Sequence, residues 1–243
     1  MKFWRSPMKK HIPLTFICVF ALLVPSVSAD IIWNGNADND IFNVANWDLS
    51  GSSVTTLEPN VSIDDNVQIG PGPASNWPVI PDLPAQQRFQ LADGKVLNVQ
   101  GAGTTLTIAG NDGVGGAPGT ADGPTVNVSD AAMFAPFFVV NDVQVNIDGT
   151  SEAVFGGGGN PINLSFVDLT PAAVLSFLNE TPAAYVGEHL SKTTVLGAPA
   201  VEGTNVLVEP LGAGGSVVTV IPEPSSILLT LFGTLALLAC RRK

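Results

Sequence analysis

The residues able to do chemistry are few, and their spacing suits little of it. Between residues 30 and 221 the chain has one histidine, His189, and no cysteine. No Gly-x-Ser-x-Gly turn presents a serine, so neither a Ser-His-Asp nor a Cys-His relay can be assembled. His189 beside Glu188 reads as a surface pair. Glycine clusters occur, but neither the dinucleotide fingerprint nor a Gly-Lys-Ser/Thr phosphate loop is among them. Glycoside hydrolysis needs two carboxylates about 5–9.5 Å apart. The doublet Asp64-Asp65 would point to opposite faces of a strand. Lyase chemistry on acidic polysaccharides calls for basic residues, and this stretch has only Arg88, Lys95 and Lys192. No catalytic residue is assigned and no enzyme is expected.

Two binding chemistries are left. Asn36-Ala37-Asp38-Asn39-Asp40 sets oxygen ligands at alternate positions, as an EF-hand loop begins, but Ile41 stands where Gly is required and Trp47 where Glu is. Asn36, Asp38 and Asp40 therefore form either a weak Ca2+ site or an Asx-turn cluster. Calcium is the one ion considered, and no other cofactor is expected. Trp33, Trp47 and Trp77 either cap the open apolar end of a β stack or form a platform for sugar rings.

The elements that must carry these residues are strands. Short alternating or β-branched runs, separated by Gly, Asn and Asp, occur at Val96–Val99, Thr104–Ile108, Thr125–Val128, Val143–Ile147, Ile162–Phe166, Val206–Val208 and Val217–Val220. Centres near Val126, Val145 and Leu164 repeat about every 19 residues, the period of a solenoid coil that buries its face only against the next coil. The fold class is all-β. A right-handed parallel β-helix is the favoured architecture, and a jelly-roll-like β-sandwich, with strands every 8–12 residues, is the alternative. One short helix is expected over Pro171–Leu178, with Thr170 as N-cap and Pro171 at the first helical position. Residues 30–70 form a cap-like start, 71–84 a Pro-rich linker and 85–221 the stack. Residues 110–124 and Gly156–Gly159 read as flexible excursions.

Both ends of the chain are addresses. Residues 1–29 carry a basic opening (Lys2, Arg5, Lys9, Lys10), an apolar run from Ile12 to Val24 and the small-residue close Val27-Ser28-Ala29. This is the layout of a signal peptide, its helix removed by signal peptidase after Ala29. At the other end Pro222-Glu223-Pro224 precedes an apolar run from Ile227 to Cys240 and the basic cluster Arg241-Arg242-Lys243. A transmembrane helix with a basic stop places the C-terminus inside and the body outside. Its 14 residues at ~1.5 Å each reach roughly 21 Å, short of the ~30 Å hydrocarbon core, which suits a temporary tether as well as a permanent short anchor.

The order of Pro-Glu-Pro, spacer, Leu-rich helix with Gly233 and terminal Arg-Arg-Lys resembles the PEP-CTERM sorting signal over residues 222–243. That resemblance implies an exosortase as partner, cleavage near Pro-Glu-Pro and transfer beyond the inner membrane. The opening Trp33-Asn34-Gly35, with Asn46-Trp47 and Asp65-Asn66-Val67-Gln68-Ile69, is similar to that of exported β-helical and autotransporter-like bacterial proteins. Residues 30–221 hold three basic against 20 acidic residues, a net charge of −17 against −11 for the whole chain. Such a body repels nucleic acid, and its charge either keeps it dispersed or draws divalent cations and cationic polymer. The expectation is a structural or adhesive protein of the cell surface or extracellular matrix, associated with exopolysaccharide. A glycan-binding module using the three Trp is the alternative, and a polysaccharide-degrading enzyme comes third.

Overall fold

Alternation with period two sends one row of side chains inward and the next outward from each strand, and in this chain the inward rows pile up. The computed structural model describes residues 30–72, 76–119 and 122–222. Ala29 with the expected signal peptide, and Glu223, Pro224 and the tail through Arg241, Arg242 and Lys243, lie outside the described residues.

The chain circles three faces. β1 (Asp30–Trp33) opens the first face, paired antiparallel with β2 (Trp47–Asp48) and parallel with β3 (Asn66–Ile69). From β3 it turns through β4 (Val79–Ile80) on the second face and β5 (Arg88–Leu91) on the third. The circuit repeats as β6 (Val96–Gln100), β7 (Thr105–Ile108) and β8 (Gly113–Gly116), then β9 (Thr125–Ser129), β10 (Met133–Ala135) and β11 (Phe138–Val140). Next come β12 (Gln144–Ile147), β13 (Glu152–Phe155) and β14 (Ile162–Asn163). In the last circuit β15 (Phe166–Leu169) and β16 (Val174–Phe177) are followed by a helix, α1 (Pro182–Glu188). β17 (Thr193–Val195) and β18 (Ala198–Pro199) finish the first face, and the hairpin β19 (Val206–Leu211) and β20 (Gly215–Val220) finishes the second. The result is a β-solenoid of about five turns.

Each turn is locked to the next by register. Ile31, Val67, Leu97, Val126, Val145 and Val167 lie directly over one another, and all six are fully buried. Burying one such side chain contributes roughly 1.5–3 kcal/mol. On the outside of the same strands an amide ladder runs parallel to the core. Asn127 Nδ2 donates to Asn98 Oδ1 at 3.0 Å, and Asn146 Nδ2 to Asn127 Oδ1 at 2.9 Å. Corners tighten through left-handed residues such as Asp130, Ala131, Asn141 and Asp142, at φ 57–65°; Asn and Asp tolerate this backbone better than most residues.

Several sequence expectations are corrected. The step from Val126 to Val145 is 19 residues, but the next stacked residue is Val167, not Leu164. Leu164 sits in a corner at φ 51°, because the loop through Gly156–Asn160 lengthens that circuit. The Ile162–Phe166 run is split between β14 and β15. Pro171–Leu178 is not a helix: Val174–Phe177 forms β16, paired with β13 and β20. The helix comes one motif later. Thr170-Pro-Ala-Ala and Thr181-Pro-Ala-Ala carry the same start signal, but Val-Leu-Ser-Phe alternates after the first and Tyr-Val-Gly-Glu does not alternate after the second. Thr181 Oγ1 accepts from the Ala184 amide at 3.3 Å as the true N-cap. The stretch 110–124 holds β8, a strand of the third face. Gly156 and Gly157 donate to the Pro136 and Phe137 carbonyls, so that corner is stacked as well. The Pro-rich stretch 71–84 contributes β4, the terminal strand of the second face, a position where flanking prolines interrupt little pairing.

Candidate functional site

The loop after β1 is organised by Asn46, which is fully buried. Its Oδ1 accepts from the amides of Ala37 at 2.8 Å and Asp38 at 3.0 Å. Its Nδ2 donates to Asp38 Oδ1 at 2.6 Å and to the Asp40 carbonyl at 3.1 Å. Asp38 also accepts from Asn43 Nδ2 at 2.8 Å and from the Asp40 amide at 2.9 Å, and Asp40 Oδ1 accepts from the Phe42 amide at 2.9 Å. The donations from Asn43, then Asn46 and the Asp40 amide, hold the Asp38 carboxyl below the usual range. Asn36 donates its amide to Asn34 Oδ1 at 3.1 Å. Asp38 and Asp40 thus accept from the loop's own donors, as in an Asx-turn cluster, while Asn36 takes part through its backbone N–H.

Trp33 and Trp47 are 4% and 5% exposed and meet edge to face at 5.0 Å, and Trp47 stacks on Phe89 at 6.2 Å. Their indole N–H groups donate to the carbonyls of Asn76 and Ile41 at 2.7 and 2.9 Å. Both rings cap the first end of the core and leave no face for a sugar. Trp77 is half-buried against the same core.

The other end is covered by α1 and a short 3-10 turn over Leu190–Lys192. His189, expected at the surface, is fully buried. Its ring stacks on Phe177 at 5.5 Å and 3°, and Phe177 stacks in turn on Phe155. Tyr185 Oη donates to Thr193 Oγ1 at 2.9 Å, and Thr193 Oγ1 donates to the His189 carbonyl at 3.1 Å. Burial pushes the Tyr185 hydroxyl up to about 12, with the Thr193 contact acting the other way. Glu180, 3% exposed, places Oε2 2.9 Å from His189 Nε2, yet the approach is off the hydrogen-bonding direction and neither side chain has a hydrogen-bond partner among the described residues. Burial raises the Glu180 carboxyl above its ordinary value, opposed by His189 and Lys192 and reinforced by Glu188. Glu180, Glu188 and His189 bring one donor atom each to within 4.8 Å of one another.

A third feature lies on the outer surface of the third face. A cleft of about 230 Å³ is lined by Gln86, Arg88, Phe137, Phe138, Asn160 and Asn163 among others. Arg88 Nε donates to Gln90 Oε1 at 2.8 Å, and Gln90 donates to Ser62 Oγ. Beside the cleft, the glycines of β8 are buried and let Arg88 and Phe138 lie close against the strand. A Cβ on Gly115 would stand 2.5 Å from Arg88 Cδ, and one on Gly113 would strike the Phe138 carbonyl. Lys192 Nζ donates to Asn160 Oδ1 at 2.8 Å, so two of the three body cations border this cleft.

Sequence reasoning left the tryptophans and the loop over residues 36–40 with two readings each, and it missed Glu180 and the Arg88 cleft. Glu180 and His189 flank a helix whose position had to be known first, and β8 has no alternation to show. Comparison with protein-family models, with curated proteins and with solved structures found no match. The fold and its two closed ends define a capped β-solenoid.

Proposed function

We propose that this chain is an exported, exosortase-processed protein of the cell surface or extracellular matrix, with a structural or adhesive role alongside exopolysaccharide. The observation that carries the reading is the junction at the end of the fold. β20 stops at Val220, and Pro222-Glu223-Pro224 begins after the single residue Ile221. Cleavage near that motif would free an intact solenoid from its membrane tail. The handedness that fits crossover connections between parallel strands is right-handed. The signal peptide, the short apolar tail and the terminal Arg-Arg-Lys complete the route: export, transient residence in the inner membrane, then release. A tagged copy in the native host is expected to appear outside the inner membrane in a shortened form. Deleting the exosortase should leave it full-length and membrane-bound. The same full-length, membrane-bound species in both strains would overturn the reading.

A second reading, glycan binding, is favoured by the Arg88 cleft rather than by the tryptophans. Arg88 presents a planar cation beside Phe138 and exposed amides, a set that suits a sugar carboxylate with an adjoining ring face. Glycan-array binding lost in Arg88→Gln supports this second reading, and binding unchanged in that variant removes it.

A further inference from the structure

The C-terminal cap holds a contact that is poor as an ion pair and well composed as something else. Glu180 and His189 are both more than nine-tenths buried, and their side-chain polar atoms lack hydrogen bonds among the described residues. Burial of that carboxylate is unfavourable, and the approach of His189 Nε2 at 2.9 Å offsets it only in part. Neighbouring cations do not remedy it: the Lys192 ammonium is committed to Asn160 Oδ1 at 2.8 Å and the Ile162 carbonyl at 2.7 Å. A further carboxylate near the pair is that of Glu188, which is exposed and whose donor atom completes a triangle no wider than 4.8 Å.

We propose that Glu180, Glu188 and His189 form a binding site for a divalent transition-metal ion of the zinc class. One imidazole nitrogen and two carboxylate oxygens are zinc donors at about 2.0–2.2 Å, which puts neighbouring donors about 3.3 Å apart in a tetrahedron. Glu188 is the exposed member of the three, so its side chain is the one that would turn to reach that spacing. Calcium takes six to eight oxygen ligands, so an imidazole-centred triad selects against it. Two carboxylates and a neutral imidazole carry a charge of −2, which the ion cancels. Solvent reaches the site on the Glu188 side and supplies the fourth ligand. The placement gives the ion a mechanical role. Glu180 precedes α1, while Glu188 and His189 end it, so the metal ties both ends of the helix over Phe177 and fixes the cap.

The full chain, solubilised in detergent and stripped with EDTA, is titrated with Zn2+ and separately with Ca2+ by calorimetry, with the thermal midpoint followed in parallel. One Zn2+ per chain, a raised midpoint and no response to Ca2+ are expected. Glu188→Gln changes an exposed side chain and leaves the fold intact, and it should weaken Zn2+ at least tenfold. Co2+ loaded in place of zinc should give a visible d–d spectrum that is lost in His189→Gln but kept in His11→Gln. Absence of Zn2+ binding, or binding unaltered by both Glu188→Gln and His189→Gln, would overturn the proposal.

Discussion

Asn46 shows what one buried amide can hold: four hydrogen bonds tie residues 37–40 to the short 3-10 turn that ends at Asn46. Each is worth about 0.5–1.5 kcal/mol net, and loop amides stranded without a partner cost more. Asn46→Ala is therefore expected to destabilise the protein by roughly 3 kcal/mol in urea unfolding. Asn46→Asp keeps the acceptor but sets a second carboxylate against Asp38, and should cost at least as much. Glu180 is the opposite case, a side chain whose charge the fold does not welcome. Burial raises its pKa above 4.5 while His189 and Lys192 oppose the rise. A raised acid contributes most favourably below its unfolded pKa, and that contribution is lost as pH climbs through the folded pKa. Unfolding in EDTA from pH 4.5 upward should show wild type losing ground against Glu180→Gln. A constant difference between the two would show that Glu180 ionises alike in both states.

At the scale of the element, β8 separates two roles of glycine. A Cβ at Gly113 meets the backbone carbonyl of Phe138, which cannot move without breaking the rung, whereas at Gly115 it meets Arg88 Cδ, part of a flexible side chain. Gly113→Ala should lower the thermal midpoint sharply. Gly115→Ala should lower the midpoint less, since the Val140 carbonyl and Cγ1 are met only at 3.2 and 3.1 Å, while displacing Arg88 from Gln90. The same strand explains what could and could not be read in advance. β6, β7, β9 and β12 were legible because Val, Leu and Thr alternate there. β8, written Gly-Val-Gly-Gly, carries no such pattern and passed for a loop. The helix lies eleven residues beyond its first start signal because Thr-Pro-Ala-Ala occurs twice, and only the residues that follow distinguish its two copies. Trp33 and Trp47 were legible as a cap because large aromatics at the start of a stack have an open end to cover. Glu180 and His189 were not, since their meeting depends on where α1 turns the chain.

At the scale of the whole molecule, the solenoid is a sum of rungs that touch only their neighbours. Removing residues 125–143 deletes one circuit and lets β12 take the place of β9, with Asn146 falling beside Asn98 as Asn127 does now. The shortened protein should keep its β circular-dichroism spectrum and unfold in a single transition at a lower temperature. Loss of the spectrum would mean that the stack is one indivisible core. The register of the faces has a further consequence, set by the strands that end them. The first face ends in β2 and β18, and the second ends at one side in the β19–β20 hairpin, each running against its neighbour. A second copy arriving end to end would meet strands of reversed polarity where continuation of the stack needs parallel ones. On those edges the turned-back strands act as chain terminators against end-to-end stacking of copies.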